Sequence, residues 1–570
     1  MIMEERMGPG AWRDGYAHPC AWKQAFAPLA VTEMFTASVA RHGDRVLADF
    51  LGREFTYRAI HAEARRFAAG LQGLGLAKGD RVGLYLPNLP VYISAYFGAM
   101  MAGATVVNFS PLYSLAELKA QVEDSGTRLL VTADVPALLP TAERVLHGSG
   151  LEWLAVARLA AQLPFWRGLG MRLFRHRETM PLPEAPDILE WSALLPEREP
   201  DPVEIDPLTD IALLQYTGGT TGTPKGAMLT HQNLTANARQ IEAIDPHAHA
   251  RDVIVGVLPL FHVFANACVL NRTIHDGGMI AMLPRFHAAR TLSTLQRVKA
   301  TTMPGVPTMF QALIDHPDMA RTDFTSLFTC ISGGAPLSGS LKKRFEKATG
   351  AKLVEGYGLT ETAGVVATNP FDGREQAGSI GHPLPGTDLR LLDKDDPARD
   401  ARPGEPGELA VSGPQVMAGY WNRPEAAAQS FVERDGQRWL RTGDIATIDE
   451  EGYVFIVDRA KDMISTSGFK VFPGQVEEVF LAPPAVREAI VIGVPDAYHG
   501  EVPRAFVVVD PVARDADAGA IGNWANARLG KHERVDRVIV RVSLPHTMVG
   551  KPDRKALRAE VLPLAKARAT

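Results

Sequence analysis

The segment Tyr216-Thr217-Gly218-Gly219-Thr220-Thr221-Gly222-Thr223-Pro224-Lys225-Gly226 concentrates hydroxyls, bare backbone and one lysine, the residue types that can hold a polyphosphate. Glycines let main-chain N–H groups converge on an anion with no Cβ in the way, threonines add donors, and Lys225 adds charge. It is not a Walker A loop, which needs Gly-Lys-Ser/Thr opening a helix; here Lys225-Gly226 runs into apolar Ala227-Met228-Leu229. A flexible Gly/Thr surface turn is the plain alternative. The run Ile211-Ala212-Leu213-Leu214 reads as a strand feeding the loop and favours a built site.

Helix and strand signals alternate around this loop. Ile60, Ala64, Phe67, Ala68 and Leu71 recur at helical spacing, and Arg81 to Leu86 reads as a strand. Leu129 to Thr132, Val253 to Leu258 and Phe328 to Ile331 are further short apolar runs, the alternation expected of layered α/β units. No charged residue occurs between Arg81 and Glu117, yet Pro87, Pro90, Asn88, Asn108 and Pro111 interrupt the stretch. A buried helix leading into a buried strand fits it better than a membrane span.

From about Leu163 to Leu195 the rhythm breaks into an insert in which Phe165, Trp166, Leu169 and Leu173 share one helical face and Arg167, Arg172 and Arg175 lie off it. Such a helix either docks on its own domain, which the weak helix formers Gly168 and Gly170 favour, or rests on anionic lipid. Beyond Arg459 the pattern becomes a compact α+β unit. Its expected strands are Val486 to Val494, Arg504 to Val509 and Val535 to Val542, with helices around Ile521 to Leu529 and after Pro552.

At 570 residues with 46% hydrophobic content, two or three domains with large cores are expected. Sixty basic against sixty-five acidic residues give a net charge of −5, so no basic excess argues for a nucleic-acid partner. Cys20, Cys268 and Cys330 lie far apart without metal-ligand spacing, which points to a reducing compartment. Met1-Ile2-Met3-Glu4-Glu5-Arg6 carries charges where a secretory signal needs an apolar core, so a cytoplasmic protein is expected.

Five further segments follow the loop in order: Pro259-Leu260-Phe261-His262, Ser332-Gly333-Gly334-Ala335-Pro336-Leu337, Glu355-Gly356-Tyr357-Gly358-Leu359-Thr360-Glu361-Thr362, Arg441-Thr442-Gly443-Asp444 and Asp458-Arg459-Ala460-Lys461-Asp462. Together they make the chain resemble the acyl-adenylate-forming (AMP-binding) superfamily, from about Phe55 to Leu557, and most nearly its bacterial long-chain fatty acid–CoA ligases. The resemblance implies an α/β fold: a large N-terminal domain of layered α/β subdomains over residues 1–458, and a small mobile C-terminal α+β lid over residues 459–570.

It also implies ATP, Mg²⁺ and coenzyme A as the small molecules handled, with a fatty acid as the acyl substrate. Thr217, Gly218, Gly219, Thr220, Thr221, Gly222 and Lys225 would hold phosphates, while Glu361, a hard carboxylate, and Thr217 would hold Mg²⁺. Tyr357 offers a ring to adenine, beside Glu355, Gly356 and Thr360, and the small residues Gly333, Gly334 and Ala335 allow close approach of a flat base. Asp444 can accept from ribose hydroxyls, and Arg459 can donate to ribose or phosphate. The resemblance assigns catalysis to Lys551, Glu361, His262 and Thr221. It places the hinge at Lys461 and leaves room for pantetheine at Gly468. Relatives usually carry an aliphatic residue after the catalytic lysine; here Pro552 follows, which a first helical position accepts.

Amino-acid-activating relatives place an aspartate where this chain reads Phe261-His262-Val263-Phe264, so an amino acid is not expected. The apolar stretches Val263 to Leu270 and Met303 to Leu313 suit an aliphatic acid. A dicarboxylic or aryl acid ligase shares every motif and stays open, as does a non-catalytic acyl-nucleotide-binding protein. Peripheral contact with the inner membrane face and a homodimer are further options, the latter by analogy alone.

Overall fold

The uncharged stretch after Arg81 folds as core. Its helix Pro90–Met101 is buried at every position up to Met100, as an all-round apolar helix requires, and the strand Thr105–Asn108 is buried throughout. Proline at the first helical position starts the helix, and Gly103 with φ +77° turns the chain out of it. The computed structural model describes residues 11–174, 178–217, 224–247, 251–394, 396–459, 461–467, 469–483, 485–496, 498–510, 517–546 and 553–566.

Among the described residues the strands form four sheets. An eight-stranded sheet runs in the order 419–420, 226–230, 211–216, 105–108, 81–84, 129–133, 153–157, 188–190. It is parallel except where Ile211–Tyr216 turns back into Gly226–Thr230 and where Gly419–Tyr420 joins that hairpin. A nine-stranded sheet is parallel from Val46–Phe50 to Lys352–Tyr357 and antiparallel at both edges. Helices Val31–His42, Tyr57–Gly73 and Pro90–Met101 share one core with both sheets, through residues such as Phe35, Phe67, Phe97, Val106 and Ile280. This is the layered α/β arrangement expected of the larger domain.

A third sheet, built on the long strand Gln437–Ile448, pairs that strand antiparallel with Val454–Arg459. The next strand, Ile464–Thr466, belongs to a separate C-terminal sheet in which Val486–Asp496 pairs with Gly500–Val509. Alternating residues sort to its two faces. Val491, Ala505 and Val507 meet helices Pro473–Leu481 and Ala518–Asn526, whereas Ile490, Ile492 and Phe506 meet Leu557 and Val561 of helix Arg554–Lys566. Val535, expected to open a strand, is core but precedes the observed strand Val538–Arg541.

The insert helix Phe165–Phe174 docks on its own domain. Arg167 donates to the Leu51 carbonyl at 2.9 Å, and a Cβ on Gly168 would fall 2.5 Å from the Ala160 carbonyl oxygen. Gly168 therefore permits a close helix contact, where the sequence read it only as a weakness. The edge-on pair Phe165 and Trp166 stays 73% and 78% exposed. Among the described residues no helix is long and apolar enough to cross a membrane.

Candidate active site

The hairpin that carries the phosphate-type loop is held at its neck, where the Thr217 N–H donates to the Lys225 carbonyl at 2.9 Å. Gly218, Gly219, Thr220, Thr221 and Gly222 lie outside the described residues, as do Gly468 and Lys551. From the neck, Lys225 reaches over the ring of Tyr420, its ammonium 5.0 Å from the centroid. Tyr420 is there because its two-residue strand pairs with Gly226–Thr230, opposite Ala227. Its hydroxyl donates to Glu361 Oε1 at 2.6 Å. Burial and the Glu361 carboxylate both raise this phenol, so it remains a donor.

Glu361 sits on the short 3-10 turn Thr360–Thr362, whose end turns through Ala363 at φ +54°. Its carbonyl accepts from the Met417 N–H at 2.9 Å, which fixes the turn against the segment leading into the strand that bears Tyr420. Lys225, Tyr420 and Glu361 thus form a cation, phenol and carboxylate row. The Glu361 carboxylate in this row and the hydroxyl of Thr217, whose N–H is bonded to the Lys225 carbonyl, are oxygen donors of the type Mg²⁺ takes.

A second row joins it. Tyr357 donates from its hydroxyl to Asp444 Oδ2 at 2.5 Å, and Arg459 Nε lies 3.0 Å from Asp444 Oδ1. The pairing of Asp444 opposite Arg459 across adjacent strands sets that ion pair. Asp444 is buried while Arg459 is a third exposed, so the carboxylate is preset by its two partners. Arg459 is raised chiefly by Asp444 and also by Glu361, which places the two rows within electrostatic reach. Burial, then Asp444, pushes the Tyr357 phenol well above its ordinary range. Burial likewise lifts the Glu355 carboxyl to about 8, against the pull of the Leu337 N–H and Lys342.

The small residues close the wall. A Cβ on Gly333 would stand 3.0 Å from the Phe264 ring, and one on Gly356 3.2 Å from Ile331 Cγ2, while Gly334 turns at φ +83°. Ala335 and Thr360 are partly exposed beside them. His262 caps the helix starting at Val263, accepting the Phe264 N–H on Nδ1 at 3.3 Å. A cleft of about 260 Å³ next to Asp444 is lined by Lys394, Glu408, Arg441, Gly443, Ile445 and Lys461. A larger one of about 360 Å³ shares no residue with this constellation.

Sequence reasoning missed Tyr420. A lone tyrosine outside every motif gives no local signal; only strand pairing brings it to Glu361. The acyl-chain expectation needs a partial correction. Met303, Phe310 and Leu313 belong to a core cluster with Leu353 and Phe345 on the far side of the nine-stranded sheet, so these residues pack the fold. Val263, Val269 and Leu270 lie in the inter-sheet core instead.

The AMP-binding enzyme family matches residues 35–421, and the AMP-binding enzyme C-terminal domain matches residues 475–551. This chain belongs to the AMP-binding enzyme family. As a member it is 38% identical over 554 residues to the long-chain-fatty-acid–CoA ligase of Bacillus subtilis (strain 168), covering 96% of this chain and 98% of that protein. It is 36% identical over 516 residues to the feruloyl-CoA synthase of an Amycolatopsis species, covering 90% and 94%. Its fold matches ATP-bound MatB from Rhodopseudomonas palustris with a TM-score of 0.80 at 29% identity, over 93% of this chain and 99% of that one.

Proposed function

We propose that this protein activates a medium- to long-chain fatty acid with ATP to acyl-AMP and then transfers the acyl group to coenzyme A, releasing AMP and pyrophosphate. The observation that carries the reading is the near full-length similarity to a long-chain-fatty-acid–CoA ligase. A free carboxylate resists a thiol because its leaving group would be oxide, so a mixed anhydride with AMP must come first. The carboxylate oxygen bonds to the α-phosphorus as pyrophosphate leaves. In the second step the thiolate bonds to the acyl carbon as AMP leaves.

The residues take roles by the resemblance. Lys551 and Lys225 stabilise charge on phosphoryl oxygens, Asp444 and Arg459 hold the ribose, and Tyr357 meets the adenine. Bound Mg²⁺, held by Glu361 with Thr217, would neutralise phosphate charge. The C-terminal domain, residues 459–570, swings about Lys461 to withdraw Lys551 and bring Gly468 to the pantetheine arm. Arg272, fully buried on the helical run that starts at Val263, is held by Asp245 and Asp252, which leaves it unavailable to a second substrate carboxylate and favours a monoacid.

An aryl acid is the second reading, on the similarity to feruloyl-CoA synthase. Coenzyme A-dependent AMP release, measured across straight-chain acids, diacids, benzoates and ferulate, separates them: turnover of straight-chain acids is expected. Release confined to diacids or aromatics would overturn the assignment. Membrane contact through the exposed Phe165 and Trp166, and a homodimer, are finer readings tested by vesicle flotation and light scattering.

A further inference from the structure

A side-chain cluster outside the catalytic cleft has metal-ligand chemistry that the ligase reaction does not use. Helix His231–Ala243 brings Glu242 against His275 and Asp276 of helix Arg272–Asp276. His275 Nε2 and Glu242 Oε2 are 2.7 Å apart, and one ligand atom from each of the three residues lies within 4.8 Å of the others. The Asp276 side chain is only 1% exposed, and neither carboxylate oxygen makes a hydrogen bond. A carboxylate so placed is costly unless a cation meets it.

The neighbouring arginines do not supply that cation fully. Arg272 Nε stands 3.5 Å from Asp276 Oδ2, but the same guanidinium is hydrogen-bonded to Asp252 at 2.7 Å and to Asp245. Arg41 and Arg45 stand by the carbonyls of His275 and Gly277, and Arg239 donates to the carbonyls of Thr235 and Ala27. Glu242 and His275 line the cleft of about 360 Å³ that also meets Phe26 and Asp245, so an ion has a route from solvent.

We propose that Glu242, His275 and Asp276 form a binding site for a borderline divalent cation such as Zn²⁺, separate from the site of the ATP chemistry. One imidazole nitrogen and two carboxylate oxygens are a donor set that Zn²⁺ accepts, with a remaining position open to the cleft for water. Ligand bonds of about 2.0–2.2 Å require the imidazole and the Glu242 carboxylate to part by only about 0.6 Å from their present contact. The ion would tie the end of one helix to the end of the other and stabilise the domain when bound.

The test uses the full-length, metal-stripped enzyme without nucleotide, titrated with Zn²⁺ by calorimetry and with Co²⁺ by visible absorption. One equivalent is expected to bind, with ligand-field bands for Co²⁺ and a raised unfolding midpoint for Zn²⁺. His275→Gln and Glu242→Gln, both at partly exposed positions, are each expected to weaken binding by at least about 100-fold while acyl-CoA formation persists. Absence of saturable binding overturns the proposal, and so does binding of equal strength in both variants, which would mark an adventitious ion elsewhere.

Discussion

At the scale of single residues the candidate site is built on preset partners. Glu361 and Asp444 are each fixed by a tyrosine hydroxyl, Tyr420 in one case and Tyr357 in the other. A hydrogen bond to a charged group contributes roughly 1.5–3 kcal/mol. Tyr420→Phe keeps the ring beneath Lys225 and removes only the hydroxyl, so ATP–pyrophosphate exchange is expected to slow by roughly 10- to 100-fold in kcat/KM for ATP. An unchanged exchange rate would separate Tyr420 from the chemistry. Glu361, Tyr357, Asp444 and Arg459 were legible because each falls within a motif whose order along the chain is specific. Tyr420 was not, since its only distinction is its partner across two strands. Nor was the fate of Phe310: an apolar residue in a helix looks the same in a sequence whether it faces a substrate or the core.

At the scale of elements, close backbone packing sets the strictest limits. A Cβ on Gly358 would fall 1.6 Å from the Gly364 carbonyl oxygen, across the turn that presents Glu361, whereas one on Gly339 would meet nothing within 4 Å. Gly358→Ala is therefore expected to abolish adenylation and lower the unfolding midpoint; Gly339→Ala is expected to leave both nearly unchanged, by exchange assay and thermal melt. The N-terminal segment supplies a second case. Its Tyr16 and His18 pack edge-on against His382, which is fully buried with no hydrogen bond on either ring nitrogen. Burial lowers His382 to about 4 from an ordinary 6.5. The unfolded chain then binds the proton more tightly, so this histidine removes stability as pH falls below about 6.5, by up to about 1.4 kcal/mol per unit, until pH nears 4. His382→Phe is expected to gain stability relative to the parent between pH 6.5 and 5, by up to about 2 kcal/mol in denaturant titrations. A constant difference between the two proteins across that range would contradict it. Periodicity predicted the elements themselves well, because a strand buried on both faces or a helix buried all round leaves a strong apolar signature. Which sheet a strand joins was not readable, since that depends on contacts between residues hundreds of positions apart.

At the scale of the whole molecule the question is how one chain serves two reactions. Arg459 ends a strand of one sheet and Ile464 opens a strand of another, so the two parts are joined through a very short connection. Asp458 reaches across it to accept the Gly474 N–H at 2.6 Å, and Arg554, near the start of the last helix, pairs with Glu477 at 2.5 Å. The proposed two-step cycle requires the C-terminal part to turn about this connection: the Arg554–Glu477 pair, internal to that part, would travel with it, whereas the Asp458–Gly474 bond spans the joint and would break. A cation at about 4 Å in an effective dielectric near 20 is worth about 4 kcal/mol, or roughly three decades in rate. Loss of Lys551 is therefore expected to fall on adenylation alone. In Lys551→Ala, pyrophosphate exchange should drop by up to about a thousandfold, while conversion of supplied acyl-AMP and coenzyme A to thioester proceeds near the parent rate. Single-turnover assays of the two halves measure this directly. Equal loss in both would mean that the lysine serves one fixed site throughout, and that the short connection at Arg459 is a joint without a hinge's function.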